Sequence, residues 1–243
     1  LKIVFLTFTL SLILSYCFGQ SGYNYYEFGL GIGGDVSLVK ANTNLPQENN
    51  HFAVSLGWTY NYTGHTQLSF ECQTGTLSGG GDLPNQASLG SVSYQNHYIS
   101  LLALADMHLG EVLNYQNSRI LNILKNFYIG TGLGIIHSSL NATRISIVDP
   151  AFGFPGADQS VNLIIPIRFG YEFCIYDEYN EPSVALDLGY MYNFVFGSLN
   201  GYYDPSSNQN KPIEGYRQFS IGIKYFFGRT VSSPKLIRAF FKK

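Results

Sequence analysis

The chain has 243 residues, of which 45% are hydrophobic, 16% aromatic and only 12% charged, and 26 are glycine. That length fits one domain, and a mean hydropathy of +0.02 excludes both a helical membrane protein and a disordered tail. The formal net charge of −2 supplies no electrostatic footprint for nucleic acid.

Residues 1–20 stand apart. Lys2 precedes an apolar run from Ile3 to Leu14 and then Ser15-Tyr16-Cys17-Phe18-Gly19-Gln20. This is the layout of a secretory signal peptide with cleavage beside Gln20. The run is shorter than the roughly 20 residues of a spanning helix. Tyr16 stands where a lipobox before Cys17 needs a small residue, so Cys17 is read as part of the leader.

What recurs after the leader is period-two alternation broken by Gly, Asn, Asp, Ser and Pro, the signal of strands with one apolar face. From Tyr25 to Val39, Tyr26, Phe28, Leu30 and Ile32 oppose Glu27, Gly29, Gly31, Gly33 and Asp35. From His51 to Tyr62, Phe52, Val54, Leu56, Trp58 and Tyr60 oppose small or polar residues, and Thr63-Gly64 marks a tight turn. From His65 to Leu77, Leu68, Phe70 and Cys72 oppose Gln67, Glu71 and Gln73, and a Gly-rich loop is expected over Ser78 to Ser91. Val92 to Leu109 is the least clear strand, because Leu101 to Ala105 is apolar on both parities. Gly110 to Asn126 connects, with helical spacing at Ile120, Leu121, Ile123 and Leu124. Phe127 to Leu140, Val161 to Tyr176, Ser183 to Phe196 and Gly215 to Phe227 complete a set of eight strands.

Most of these exceed the roughly 9–11 residues that cross a membrane at a tilt. The connections after the first, third, fifth and seventh strands are long and polar, and two of the other three are tight turns. Short turns on the periplasmic side and long loops outside then put both ends of the barrel in the periplasm. This topology predicts an aromatic belt at periplasmic height: Tyr26, Phe28, Trp58, Tyr60, Phe127, Tyr171, Phe173, Tyr225 and Phe227. Tyr190, Tyr192 and Phe194 fall in the opposite belt.

The polar face decides between a membrane barrel and a soluble one. It is rich in glycine and holds isolated charges: Glu27, Asp35, Glu71, Asp106, Arg168, Glu172, Asp187 and Lys224. A solvent face would carry far more Lys and Glu, whereas a narrow lumen favours glycine. Buried charge must pair, so Arg168 and Lys224 are expected to meet these acids, with surplus acids protonated or water-bridged. A packed polar core is the expected role, against a salt-bridge plug or a narrow ion path. Cys72 falls on the apolar face and Cys174 on the polar one, so both are expected as free thiols. No Cys/His spacing for a metal is present, and no cofactor is expected.

Ser220, Gly222, Ile223, Tyr225 and Phe227 fill the slots of a polar–Gly–apolar–apolar–aromatic pattern. The segment resembles the closing-strand signal of outer-membrane barrels, and Tyr25 to Phe227 as a whole resembles the small OmpA/OmpX-like barrels. The resemblance implies an all-β, eight-stranded antiparallel up-and-down transmembrane β-barrel over 21–228, after the leader and before a basic periplasmic tail over 229–243. It implies a cell outer membrane location in a Gram-negative envelope, with outer-membrane lipid and the assembly machinery as partners. A structural or surface-interaction role is expected through the loops, which carry Phe152, Phe154, Tyr202 and Tyr203 and have room for a surface ligand. The alternatives are a narrow pore for ions or small solutes and a lipid-modifying hydrolase. The last rests on His137-Ser138-Ser139, which resembles the His-x-Ser of lipid A deacylases and implies His137 as base and Ser139 as nucleophile. No acid is placed to orient His137, and a plain polar strand end is the competing reading. The tail, with Lys235, Arg238, Lys242 and Lys243 among Leu236, Ile237, Phe240 and Phe241, departs from barrels that end on the closing strand.

Overall fold

Alternation at period two leaves each segment with one apolar and one polar edge, and only closure of the sheet gives every backbone group a partner. A computed structural model describes residues 24–43, 45, 47–82, 91–113, 115, 118–143, 156–178, 181–201 and 213–234. The elements are β1 (Asn24–Asn42), β2 (Gln47–Glu48), β3 (Asn50–Thr63), β4 (Thr66–Asp82), β5 (Ser91–His108), α1 (Arg119–Leu124), β6 (Phe127–Thr143), β7 (Gln159–Tyr176), β8 (Pro182–Phe196) and β9 (Glu214–Pro234). β2 is two residues hooked onto the end of β4. The other eight strands form the wall, each antiparallel to the next, and β9 pairs with β1 to close it.

The ladders fix the shape of the barrel. Starting from Val36 and stepping through β3, β4, β5 and β6, the paired residues lead to Val161 on β7. Stepping the other way through β9 and β8 leads to Tyr171 on the same strand, ten residues along. A shear of ten over eight strands tilts the strands by about 40° and leaves a lumen that side chains just fill.

Which face is apolar is unambiguous. Ile223 is 61% exposed on the outer wall while Gln218, on the opposite parity of the same strand, is 2% exposed. The outer wall carries Leu56, Trp58, Phe70, Leu133, Ile167 and Phe169, all exposed. Such a surface fits hydrocarbon, not water. β5 resolves likewise: Leu102 and Leu104 point inward and are buried, and Leu101 faces out.

One end of the barrel, here the turn end, holds the short connections: Gly64 and His65 between β3 and β4, and 177–181 between β7 and β8. The third turn-end connection, between β5 and β6, is longer. It contains a single 3-10 turn (Leu109–Glu111) and α1, capped by the Ser118 side chain accepting from the Leu121 amide. Thr63 donates to the buried Glu111 carboxylate, and His65 Nε2 lies 3.0 Å from the Tyr115 hydroxyl. The helical spacing seen in the sequence is thus real but amounts to six residues.

Two strands outrun their expected limits at notable places. β4 continues through Gly79, Gly80 and Gly81 into the stretch read as loop, paired with both β2 and β5. A side chain at Gly79 would run into the Tyr94 ring and the Gln47 carbonyl, so glycine here permits close packing rather than a loop. β9 does not end at 228. Gly228 (φ +99) sits where the β1 register slips between Phe28 and Leu30, and the strand then pairs Thr230–Pro234 with Asn24–Phe28. A bulge with a positive-φ glycine lets the ladder resume. The leader, the tail beyond Pro234, and Phe152, Phe154, Tyr202 and Tyr203 lie outside the described residues.

Candidate functional site

The lumen is stratified, and the strands show the order directly. Along β4 toward the loop end, the inward residues run Gln67, Glu71, Gln73, Leu77; along β9 in the opposite sense they run Tyr216, Gln218, Lys224.

The layer nearest the loops is a plug. Tyr98 and Tyr216 pack their rings 5.4 Å apart, and both hydroxyls donate to Gln73 Oε1, at 3.3 and 3.1 Å. Gln73 in turn donates to Gln218 at 2.7 Å. Around this ring pack Val39, Leu77, Leu102, Ile136, Ile164 and Val195, all buried.

Beneath it lies the charge layer. Arg168 reaches across from β7 to Asp106 (3.0 Å), Glu71 (3.5 Å) and Asp187 (3.9 Å). Lys224 on β9 pairs with Glu172, lies 3.3 Å from Asp187, and donates to Gln67 at 3.4 Å. Tyr128 stands between the two cations, its ring centroid 5.1 Å from Arg168 and 5.7 Å from Lys224, with its hydroxyl donating to Asp187 at 2.9 Å. At the turn end His108 Nε2 approaches Glu172 at 3.0 Å, and Gln67 donates to the same carboxylate at 3.2 Å. Asp35 is bonded by the Ser55 hydroxyl and lines, with Ser55, Glu71, Arg168, Asp187 and Lys224, a cavity of about 50 Å³. That volume accommodates a few waters and nothing larger.

The glycines seen in the sequence make this layer fit. A methyl group at Gly130 would collide with the Asp106 carboxylate, one at Gly170 with the Tyr128 ring, and one at Gly222 with Asp35. Each supplies the space into which a neighbouring strand's polar side chain lies.

Of the eight charges expected in the lumen, the structure joins Glu71, Asp106, Arg168, Glu172, Asp187 and Lys224 in one network, and puts Asp35 at its edge. The Glu27 side chain is outside the described residues. Sequence reading put Gln67 on the polar face without giving it a role and passed over His108 and Tyr128, although each shares the inward parity of a residue it did single out. It also passed over the plug: over the loop-end half of the lumen, buried aromatic and aliphatic side chains are interleaved with buried Gln73, Asn96, Ser138, Asn193 and Gln218.

The remaining candidates face outward. His137 and Ser139 lie on the outer face of β6, opposite Ile99 and His97 of β5 and Val161 and Gln159 of β7. Neither hydrogen-bonds a carboxylate among the described residues, and no acid neighbours them in these ladders. Ile223, Tyr225 and Phe227 of the closing-strand pattern are exposed on the outer wall, while Ser220 and Gly222 face the lumen. Cys72 is exposed on the outer wall, Cys174 is on the inward parity of β7, and neither forms a disulfide. Trp58, Tyr60, Phe127, Phe173, Tyr225 and Phe227 are exposed toward the turn end, and Tyr171 packs at 4.5 Å from Phe173 and 4.7 Å from Phe127. The side chains of Tyr26 and Phe28 lie outside the described residues. Tyr192 and Phe194 pack together at 4.7 Å nearer the loop end. No group of three or more His, Cys, Asp or Glu fit to hold a metal occurs among the described residues.

An apolar exterior, a filled polar-to-aromatic interior and eight closed strands define a small membrane β-barrel of the outer-membrane type. No family model and no curated protein sequence matches the chain. Among solved structures it is similar to the Neisserial surface protein A (15% identity, TM-score 0.40, covering 84% of this chain and 99% of that one). It is similar also to the attachment invasion locus protein Ail of Yersinia pestis (12%, 0.45, 83% and 99%) and to OprG of Pseudomonas aeruginosa (13%, 0.39, 84% and 98%). Identities and TM-scores this low carry no argument about role.

Proposed function

We infer that the chain is an exported outer-membrane protein with a sealed lumen, whose role is structural and surface-facing and is exercised through the loop-end connections. The observation that carries this reading is the plug: Tyr98, Tyr216, Gln73, Leu102, Ile136 and Ile164 are at most 1% exposed and fill the section above the charge layer. A conducting pore needs a continuous wet path, and the buried Tyr98, Tyr216 and Gln73 side chains stand across the section above the polar-walled cavity. The charge layer acts as the polar core that holds the wall in register.

The direct test is planar-bilayer recording of the purified protein. The expected trace has no unitary steps across the physiological voltage range. Well-resolved steps of constant amplitude would sink the sealed-lumen reading and install the narrow-pore reading in its place. Location has its own test: a barrel that is heat-modifiable on gels and fractionates with the outer membrane is expected, and recovery in the soluble fraction would contradict it.

A further inference from the structure

The outer wall is almost free of charge. Among the residues whose side chains are described, formal charge on the outward faces of the eight strands, away from the β9 bulge, occurs at Lys40 and Arg217, and Arg229 sits in that bulge beside Gly228. Arg229 is near the turn end. Lys40 and Arg217 are both near the loop end, and they are directly opposite each other in the β1–β9 ladder. Two like charges placed across a strand pair repel and destabilise the sheet. Among the described residues neither has an acid within 4 Å; the carboxylate of Glu48 on β2 attracts Lys40 from further away, and Arg217 shares no such partner on its outward face.

Their surroundings are equally specific. Two residues further into the wall, on the same outward faces, stand Leu38 and Phe219, both exposed and themselves cross-strand partners. Lys40 and Arg217 therefore mark the edge of the apolar band, at the height of lipid headgroups. On the loop side Asn42 Nδ2 donates to the Tyr192 hydroxyl at 2.8 Å. Tyr192 is the β8 partner of Arg217, and Asn42 follows Lys40 on the same face. Accepting from Asn42 leaves the Tyr192 hydroxyl its own proton to donate. The result is a contiguous cluster on three strands with two cations and one hydroxyl donor.

We propose that Lys40, Arg217 and Tyr192 form a binding site for a phosphomonoester headgroup of a lipid in the loop-end leaflet, as distinct from the singly charged phosphodiester of phosphatidylcholine. A phosphate dianion placed between the two cations removes their repulsion and takes charge-assisted hydrogen bonds from both. Its acyl chains then run down over Leu38 and Phe219. This goes beyond the proposed role and requires only that the barrel span a membrane. It holds whether or not the lumen conducts.

The test compares unfolding in urea for the full chain reconstituted in phosphatidylcholine vesicles, with and without about one tenth phosphatidic acid. In the wild type, phosphatidic acid is expected to lower the unfolding equilibrium constant about fivefold, the scale of one exposed ion pair. The Lys40→Gln/Arg217→Gln variant is expected to show no response. In phosphatidylcholine alone it should be at least as stable as the wild type, because the repulsion is gone. An Arg119→Gln/Arg229→Gln variant makes the same change of net charge at the turn end and is expected to keep the full response. Equal loss in both variants would show diffuse attraction and overturn the site. A wild-type response to inorganic phosphate in phosphatidylcholine vesicles, matching that to phosphatidic acid, would overturn a lipid headgroup as the ligand. Heat-modifiable migration confirms that each variant is folded before it is compared.

Discussion

Arg168 is the side chain on which the charge layer depends most. It serves Asp106, Glu71 and Asp187 at once, and it is 8% exposed. Removing one member of a buried ion cluster leaves its partners uncompensated, typically costing about 3–5 kcal/mol. Arg168→Met is therefore expected to destabilise the barrel by that amount in urea titrations. Arg168→Met combined with Asp106→Leu should recover part of the loss, since an apolar pair replaces the ionic one. A fully additive double variant would show that Arg168 and Asp106 do not act as a pair. Gly130→Ala tests the space beside the same carboxylate: overpacking is expected to cost about 1–3 kcal/mol, whereas Gly228→Ala, discussed below, acts through backbone strain. At this scale the sequence was legible by parity alone. Alternation assigned Glu71, Asp106, Arg168, Glu172, Asp187 and Lys224 to one face. It did not say which acid meets which base, because that depends on the register accumulated across several ladders. Lys40 and Arg217 illustrate the same limit: 177 positions apart in the chain, they become neighbours only when β9 closes onto β1.

The elements carry a different kind of information. Eight strands and the tight turns of the turn end were readable because glycine, turn residues and period two all mark the same boundaries. The errors lie at strand ends, where glycine has two uses. In β4 it admits the Tyr94 ring against Gly79, and in β9 it supplies a positive φ at Gly228. Gly228→Ala is expected to cost about 1–2 kcal/mol through the backbone conformation alone. The effect should be local: amide exchange of Tyr25 to Phe28 rises, and that of Ile32 to Leu38 does not change. Uniform acceleration along β1 would place Gly228 within the barrel's cooperative unit instead. The β2 hook carries a pH dependence. Burial raises Glu48 above its ordinary value of 4.5, although Thr43 and Tyr94 donate to its carboxylate. A carboxyl raised on folding contributes stability that is complete below its ordinary value and is lost as pH rises through the raised one. Protection of the Asn49 amide, bonded to the Ser78 carbonyl at 2.9 Å, is therefore expected to fall as the pH rises above the ordinary Glu48 value of 4.5. Glu48→Gln should flatten that profile, and an unchanged slope in the variant would assign the dependence elsewhere.

At the scale of the whole molecule, shear and strand number together set the lumen's width, and the side chains at each height decide what occupies it. With eight strands and a shear of ten, the section is about wide enough for one layer of facing side chains. A ring of two tyrosines and two glutamines is therefore enough to span it. The plug is expected to control conduction, because the cavity below it already has polar walls and space for water. Replacing Tyr98 and Tyr216 by alanine removes both rings and leaves Gln73 with a vacated section above the charge layer. The folded double variant is expected to give unitary steps in planar bilayers where the wild type gives none. Those steps should favour cations, since Asp35, Glu71, Asp106, Glu172 and Asp187 outnumber Arg168 and Lys224 around the path. Adding Glu71→Gln and Asp187→Asn should weaken that preference while leaving the steps in place. If the tyrosine variant is folded and silent, the seal lies in the charge layer itself, and Arg168 rather than the aromatic ring closes the barrel.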